Sequence, residues 1–339
     1  MRVVVFGAGA VGGHLAARLA AHGPAAGIEV AAVARGAQLE ALNQRGITLW
    51  IGEERTSAPI HARDRPETLG HQDVVRVTMK SSVLPAVAHQ LRTLIGPETT
   101  VIFAMNGIPW WYLYRLKDSG VPRPDLSHLD PGGVLEGAVG LERVVGCMIN
   151  SANAIAEPGV IRNSPGTKNR FTLGELDGST TPRIEAIAAS LVKAGFKAPV
   201  IADIRSEIWL KLWGNLSFNP ISALTHATLV DICQFPLSRE LARQMMTEAE
   251  AVAKKLGVTF RVSIERRIAG AEKVGAHKTS MLQDVEQGRP IEIEALVGSV
   301  VELGALTGTP TPYISAVYAC ASLLAKTLNA QHGKLAIVP

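Results

Sequence analysis

The sequence predicts two domains, an α/β N-terminal domain over residues 1–202 and an all-α C-terminal domain over residues 203–339. Three observations support this division. At 339 residues the chain is too long for one ordinary hydrophobic core. Apolar runs typical of β-strands alternate with helical patterns up to residue 201, as in a parallel sheet covered by helices. Beyond Asp203 strand signals largely vanish, and apolar residues recur at helical spacing up to Leu328.

A glycine motif follows the first strand and opens the first helix. It reads Gly7-x-Gly9-x-x-Gly12. In such a motif the first glycine permits a tight turn, the second lets a pyrophosphate approach the backbone, and the third lets the helix pack closely on the strand. The amides at the helix start, including those of Ala10 and Val11, then face the phosphates. The motif therefore predicts a Rossmann-like dinucleotide-binding domain; the alternative is an incidental glycine turn.

The residue after the second strand bears on the choice of dinucleotide. Many NAD-binding sites place an acid at the end of this strand, where it bonds the ribose 2′-hydroxyl. Here the strand over residues 29–34 is followed by Arg35 and Gly36. Because a guanidinium pairs well with phosphate, Arg35 predicts NADPH or NADP rather than NAD. The alternative is an arginine that only covers the strand end in solvent.

Two further polar residues are predicted to follow strands of the same sheet. Residues 73–80 read as a strand ending at Lys80, and residues 100–107 as a strand ending in Asn106 and Gly107. In an open parallel sheet the ligand lies beyond the carboxyl ends of the strands. We therefore expect Lys80 and Asn106 to contact cofactor or substrate, although either alone would pass for an ordinary loop residue.

The remaining elements are predicted from periodicity and turn residues. Residues 47–51 and the stretch after Arg55 read as short strands of an antiparallel excursion, and Glu157-Pro-Gly159 reads as a hairpin turn. A helix over residues 182–194 and a strand over residues 197–201 close the first domain. Further helices are predicted over residues 83–94, 237–256, 262–274, 292–306 and 313–328.

The helix predicted over residues 205–224 carries a polar stripe in an apolar setting. Lys211, Asn215 and Asn219 stand at i, i+4 and i+8 and therefore share one face. Burying amides and an ammonium without partners is costly, so the stripe predicts a small polar substrate in front of it. The alternative is a surface helix on which Lys211 extends into solvent. Pro220 predicts that the helix bends or stops after Asn219.

A second informative stretch runs from residue 278 to residue 294. Gly288 is expected to end one element and Pro290 to stand in the first turn of the next. Glu292 then lies near a helix N-terminus, where it either complements the helix dipole or takes part in catalysis. Ser280 similarly reads as a capping or solvated hydroxyl.

Composition excludes several classes of function. The net charge is only +4 and the sequence has no dense Lys/Arg block, which argues against nucleic-acid binding despite a pI of 9.0. Cys147, Cys233 and Cys320 are far apart, as expected in a reducing compartment for a protein without a structural metal. The apolar stretch over residues 313–325 falls short of the roughly 20 residues that span a bilayer. We therefore expect a cytoplasmic protein.

Taken together, these motifs resemble the ketopantoate reductase family. The resemblance covers nearly the whole chain, and its specific parts are Glu207-x-Trp-x-Lys-Leu-x-x-Asn-x-x-x-Asn-Pro220 and Ser280-Met-Leu-Gln-Asp284. It implies an oxidoreductase acting on a CH–OH group, which reduces ketopantoate to pantoate with NADPH in pantothenate and coenzyme A biosynthesis.

The resemblance also implies roles for individual residues. Lys211 and Glu292 match the family's catalytic lysine and glutamate. The substrate-binding positions, which include those two, are Asn106, Lys211, Asn215, Asn219, Ser280 and Glu292. Arg35 and Lys80 match cofactor contacts, and Asn106 matches an asparagine near both nicotinamide and substrate. Two departures concern substrate identity, because the aromatic cluster Trp110-Trp111-Tyr112 stands beside the site and residues 122–133 look like an added loop.

Two other functions are compatible with the sequence. The first is reduction of a different 2-oxo acid or ketone by the same residues. The second, from another class, is a non-catalytic NADP-sensing module, which would not need Lys211 and two asparagines on one helix face. The predicted partner is a small molecule, with neither nucleic acid nor membrane, and the sequence leaves a homodimer open.

Overall fold

The computed structural model describes residues 1–114, 116, 126 and 128–333. The chain divides into two compact units, each of which combines two segments. The α/β unit contains Met1–Met105 and Gly132–Ile204. The helical unit contains Asn106–Pro131 and Arg205–Pro339.

The α/β unit contains the strands of both sheets. They are β1 (Arg2–Phe6), β2 (Glu29–Val33), β3 (Ile47–Ile51), β4 (Glu54–Ala58), β5 (His61–Arg63), β6 (Gln72–Val77), β7 (Ile95–Ala104), β8 (Val144–Asn150), β9 (Asn153–Glu157), β10 (Val160–Asn163) and β11 (Arg170–Glu175). Its α-helices are α1 (Ala10–His22), α2 (Gly36–Arg45), α3 (Leu84–Arg92), α4 (Val134–Val139) and α5 (Pro182–Lys193). Short 3-10 helices cover Pro24–Ala26, Pro66–Leu69, Ser81–Val83, Pro131–Gly133 (from Gly132 onward) and Leu141–Arg143.

Within the described ranges, seven strands form the main sheet in the order β11-β8-β7-β6-β1-β2-β5. All neighbours are parallel except β8 and β11. A second sheet has the order β4-β3-β10-β9, with antiparallel pairs at both ends. The predicted α/β fold is confirmed, as are the antiparallel excursion and the Glu157-Pro-Gly159 hairpin. The strand predicted over residues 197–201 is reduced to isolated bridges at Lys197 and Val200.

Helix α1 is buried between the two sheets. It contacts β1 and β2 of the main sheet, and β3, β4, β9 and β10 of the second sheet. A Cβ at Gly12 would collide with the Gly7 carbonyl oxygen, and one at Gly13 would collide with Ile161 of β10. Adjacent glycines therefore let α1 approach a sheet on each side. This double burial explains why the helix consists mainly of alanine, leucine and glycine.

One buried side chain of α1 is ionisable. His14 is fully buried, and its Nδ1 lies 3.2 Å from Ser151 Oγ. Ser151 accepts a hydrogen bond from Asn153 and donates one to Asn169. Burial, followed by the charge of Arg18, lowers the pKa of His14 to about 4, although an Asn153 hydrogen bond acts in the opposite direction. His14 is therefore neutral in the folded protein at pH 7.

We predict that acid destabilises the α/β unit through His14. The pKa is about 6.5 in the unfolded chain, so between pH 6.5 and pH 4 the unfolded state binds more protons than the folded state. The contribution of neutral His14 to the free energy of unfolding is fully present above pH 6.5. The free energy of unfolding falls by about 3 kcal/mol as the pH approaches 4. Urea unfolding at pH 7 and pH 4.5 measures this loss, which His14→Gln should reduce. His22→Gln, at an exposed position of the same helix, is the control; an equal effect of both changes would contradict the prediction.

The helical unit consists of α6 (Ile204–Thr225, from Arg205 onward), α7 (Leu229–Gln234), α8 (Pro236–Lys255), α9 (Ile264–Glu272), α10 (Ser280–Glu286), a π-helix (Glu294–Gly298), α11 (Ser299–Leu306) and α12 (Pro312–Ala330). Its core includes the fully buried Trp209, Trp213 and Leu216 of α6. The prediction of an all-α second domain is confirmed. Among the described residues, no helix is both long enough and apolar enough to cross a membrane.

Helix α6 continues through Pro220, so of the predicted bend or stop after Asn219, the stop is wrong. A proline inside a helix costs about 3 kcal/mol. Burying one large apolar side chain gains about 1.5–3 kcal/mol, and Leu216, Phe218 and Ile221 are all buried beside Pro220. Their combined burial exceeds the cost of the proline.

Pro290 precedes the next helix and does not stand in its first turn. The backbone and side chain of Arg289 both bond to Asp284 of α10, at 2.8 Å each. Residue 289 is therefore tied to the preceding helix, and the next one begins later. The helix predicted over residues 292–306 is also irregular, because its first part is the π-helix.

The domain division differs from the predicted one in the segment Asn106–Pro131. The sequence assigned these residues to the first domain, whereas those of them that the structure describes are grouped with the helical unit. Backbone bonding explains the difference, because the Ile108 N–H donates to the Ala295 carbonyl at 2.8 Å. Of the loop predicted over residues 122–133, positions 122–125 and 127 lie outside the described residues.

Candidate functional site

In the α/β unit, backbone amides gather at the start of α1. Gly7 has a φ of +102°, and the Gly7 and Ala8 amides both donate to the Val33 carbonyl of β2. The Gly13 N–H bonds to the Gly9 carbonyl at 2.6 Å. The amides of Ala10, Val11 and Gly12 precede that bond and therefore lack an intrahelical acceptor, and the N-cap residue, Gly9, has no side chain to bond them. Such a helix start attracts an anion.

The space around the glycines fits a dinucleotide. A Cβ added at Gly9 would meet no atom of the described residues within 4 Å, whereas one at Gly12 would collide with the Gly7 backbone. Gly9 therefore leaves space for a ligand in front of the turn, and Gly12 lets α1 pack closely against the Gly7 backbone. The residues present fit the phosphates of a dinucleotide cofactor.

Two side chains that the sequence reasoning missed hold this turn. Gln38 of α2 donates from Nε2 to the Ala8 carbonyl and accepts from the Gly159 N–H, both at 2.9 Å. Thr78 Oγ1 donates to the Gly7 carbonyl at 2.6 Å. Neither residue belongs to a local motif. Only the folded chain brings them to the glycine turn.

Arg35 and Lys80 follow strands of the main sheet. Arg35 is exposed at the start of α2, and its Nη2 donates to Gln90 Oε1 at 3.0 Å. Lys80 is half-buried three residues beyond the end of β6. Both lie beyond carboxyl ends of strands. Asn106 lies two residues beyond the end of β7, as predicted, although its contacts group it with the helical unit.

In the helical unit, the structure pairs Lys211 with Asn106. Lys211 Nζ donates to Asn106 Oδ1 at 2.6 Å, and both residues are half-buried. Asn215 is half-buried one turn further along the same face of α6. Asn219 is buried and donates to Ser280 Oγ at 3.4 Å. Ser280 is exposed and is not the cap of α10, because the neighbouring Thr279 caps that helix.

The turn that carries Asn106 is docked on the π-helix. Gly107 has a φ of +86°, and a Cβ there would collide with the Ala295 carbonyl. That carbonyl accepts hydrogen bonds from the Ile108 N–H at 2.8 Å and from Ser299 Oγ at 2.9 Å. The close approach therefore requires glycine at position 107. Short π-helices are frequent at functional sites.

Glu292 lies two residues before the π-helix. It is half-buried between the buried side chains of Ile291 and Ile293, just before the π-helix. The π-helix is held in turn by Tyr318, whose hydroxyl donates to Glu294 at 2.7 Å. Burial, followed by this hydrogen bond, raises the pKa of Tyr318 to about 12, so the phenol stays protonated at neutral pH.

The aromatic cluster belongs largely to the core of the helical unit. Trp111 and Tyr112 are fully buried, and Trp110 is mostly buried. Tyr112 accepts a hydrogen bond from Trp209 Nε1 at 2.6 Å, with the two rings edge to face. The sequence singled out the cluster as a feature that changes the substrate site. The burial of Trp111 and Tyr112 makes them primarily structural.

Comparison with known proteins gives one consistent family. The model described as "Ketopantoate reductase PanE/ApbA" matches residues 3–110, and its C-terminal counterpart matches residues 203–325. A 2-dehydropantoate 2-reductase of Mesorhizobium japonicum is 47% identical over 329 residues, covering 96% of this chain and 98% of the relative.

Solved structures agree with the sequence comparison. A Ralstonia solanacearum MolK2 protein assigned as a ketopantoate reductase superposes with a TM-score of 0.88 and 40% identity, covering 97% of this chain and 98% of its own. A D-mandelate dehydrogenase bound to NADH and anilino(oxo)acetate has a TM-score of 0.81 at 18% identity, covering 97% and 99% of the two chains. This second likeness concerns the fold alone.

Proposed function

The chain belongs to the ketopantoate reductase family, and on that premise we propose that it reduces ketopantoate (2-dehydropantoate) to pantoate in pantothenate and coenzyme A biosynthesis. It is an oxidoreductase acting on a CH–OH group, and NADPH is the cofactor of the family. The observation that carries the proposal is the hydrogen bond from Lys211 Nζ to Asn106 Oδ1 on the polar face of α6. This contact fixes an ammonium beside the amides that we assign to substrate binding.

We assign the cofactor contacts to the α/β unit and to Asn106. Gly7 and Gly9 shape the turn, and the amides of Ala10, Val11 and Gly12 would bind the pyrophosphate. Arg35 would bind the 2′-phosphate, while Lys80 and Asn106 complete the set of contacts. When bound, NADPH supplies the hydride.

Lys211 is the residue that we assign to proton transfer. Reduction of a ketone leaves negative charge on its oxygen, which the ammonium stabilises and then protonates from Nζ. Asn106 holds the ammonium through its carbonyl oxygen, which cannot compete as a base. Glu292 accepts a hydrogen bond from a substrate hydroxyl and attracts Lys211 into position. Asn215, Asn219 and Ser280 bind the substrate's polar groups without adding charge.

We expect Lys211→Ala to lower kcat by about 10²–10⁴-fold. NADPH affinity should stay nearly normal, because the ammonium acts on charge that develops mainly in the transition state. Steady-state kinetics and a fluorescence titration of NADPH measure the two effects. Lys254→Ala, which removes an exposed lysine from α8, is the matched control. A change confined to KM would assign Lys211 to binding alone.

We expect Arg35→Ala to reduce the preference for NADPH over NADH. A charge-assisted pair with phosphate is worth about 1.5–3 kcal/mol, or roughly tenfold to a hundredfold in affinity. The measurement is the Kd of each nucleotide for wild type and variant. Arg45→Ala removes an exposed arginine at the other end of α2 and should leave the ratio unchanged. The same preference in wild type and Arg35→Ala would rule out the assignment.

We expect kcat/KM to be higher for ketopantoate than for 2-oxoisovalerate, which lacks the terminal hydroxyl. A site built to bond a hydroxyl discriminates strongly against an analogue without it, because its own polar groups are left unpaired. Glu292→Ala and Asn215→Ala should each reduce the difference in kcat/KM between ketopantoate and 2-oxoisovalerate. A panel of 2-oxo acids also tests the alternatives: preference for another acid would indicate a different reductase, and NADPH binding without any turnover would favour a sensor.

We also propose that the enzyme works in the cytoplasm on a small-molecule substrate. Cys147, Cys233 and Cys320, which all lie among the described residues, form no disulfide with one another, as expected where glutathione keeps cysteines reduced. A homodimer is a separate hypothesis that light scattering would test.

A further inference from the structure

The turn that carries Asn106 is tied to α6 at its far end as well as at Asn106. Tyr112 Oη accepts the Trp209 indole N–H at 2.6 Å, and both side chains are fully buried. The ring centroids are 6.3 Å apart at an interplanar angle of 73°, an edge-to-face arrangement. The residues between Asn106 and Tyr112 therefore form a short arc with both ends on one helix.

Arg205 adds a third connection between this arc and α6. Its guanidinium donates from Nε to the Tyr112 carbonyl at 3.0 Å and from Nη2 to the Tyr114 carbonyl. The same group lies 5.8 Å from the ring centroids of Trp111 and Tyr112. Arg205 and Trp209 are one helical turn apart, so together they fix both the backbone and the ring of Tyr112.

Lys211 needs such a support. Its ammonium is carried on a flexible four-carbon side chain, and the hydrogen bond to Asn106 helps to orient it only as well as Asn106 is itself held. The Ile108 contact with the π-helix holds the arc just after Asn106. Further along the arc, the hydrogen bond between Trp209 and Tyr112 is the next contact that holds it.

We propose that Tyr112 and Trp209 are positioning residues for Lys211. They hold the arc that presents Asn106 Oδ1 to the ammonium and so restrict where the proton is delivered. Neither residue contacts the reacting atoms. The proposal rests on the proposed function for its kinetic part, since Lys211 there donates the proton.

Helix α6 provides a matched pair of indoles for the test. Trp213 is also fully buried, but its Nε1 donates to the Met246 carbonyl of α8 at 2.9 Å. Trp209→Phe and Trp213→Phe therefore each remove one buried indole N–H, and only the first releases Tyr112. Trp209→Phe should lower kcat about 10- to 100-fold with KM for NADPH unchanged, the loss expected from a small misplacement. If Trp209→Phe fails to fold, Tyr112→Phe takes its place. It removes a single oxygen atom and should also lower kcat.

A second readout does not depend on turnover. Asn106 Oδ1 accepts a hydrogen bond from Lys211 Nζ, so releasing Asn106 should loosen the lysine side chain and raise the rate at which acetic anhydride acylates Lys211. Competitive labelling and mass spectrometry should show this rise in Trp209→Phe, Tyr112→Phe and Asn106→Ala, but not in Trp213→Phe.

The outcomes separate the two hypotheses. Equal loss of kcat and equal labelling in Trp209→Phe and Trp213→Phe would overturn the positioning role, because both would then reflect general loss of packing. If the wild type reduced no 2-oxo acid, the proposed function would fail, while the labelling comparison would still decide whether Tyr112 and Trp209 hold Lys211.

Discussion

The hydrogen bond between Lys211 and Asn106 is the interaction on which the site in the helical unit depends. An ammonium on a long side chain is oriented only when its acceptor is fixed. The chain fixes that acceptor by backbone means, with Gly107 approaching the Ala295 carbonyl and Ile108 bonding to it. The polar stripe of Lys211, Asn215 and Asn219 therefore depends on more than one helix. Its first residue, Lys211, is hydrogen-bonded to Asn106 from a distant part of the sequence.

The candidate site in the α/β unit depends on the backbone rather than on a charged side chain. Its candidate ligand donors are main-chain amides at the start of α1, and no charged side chain stands within the glycine motif. Such donors are only as well placed as the helix that carries them. Burial of α1 between two sheets, with Gly12 and Gly13 against opposite partners, gives that helix a rigid setting. Gln38 and Thr78 then hold the turn that precedes it.

Local patterns predicted much of this arrangement. The order of strand, glycine turn and helix identified the dinucleotide motif, and helical spacing placed Lys211 and both asparagines on one face. Long-range pairing was not predictable in the same way. Nothing near Asn106 indicates that its turn packs on residues 295 and 209, because those contacts depend on tertiary structure. Pro220 illustrates the same limit, since its local preference for ending a helix is overridden by the burial of its neighbours.

The helical unit is built from two segments that are far apart in sequence, and this has a consequence for synthesis of the protein on the ribosome. Asn106 and Lys211 are 105 positions apart in sequence. A growing chain therefore exposes Trp111 and Tyr112 well before α6 exists to cover them, and such apolar surface is prone to aggregation until it is buried. Folding of the helical unit must wait for α6 to leave the ribosome. A fragment starting at Arg205 would lack Asn106 and both aromatic side chains, so it would lose the contacts that these residues make with α6.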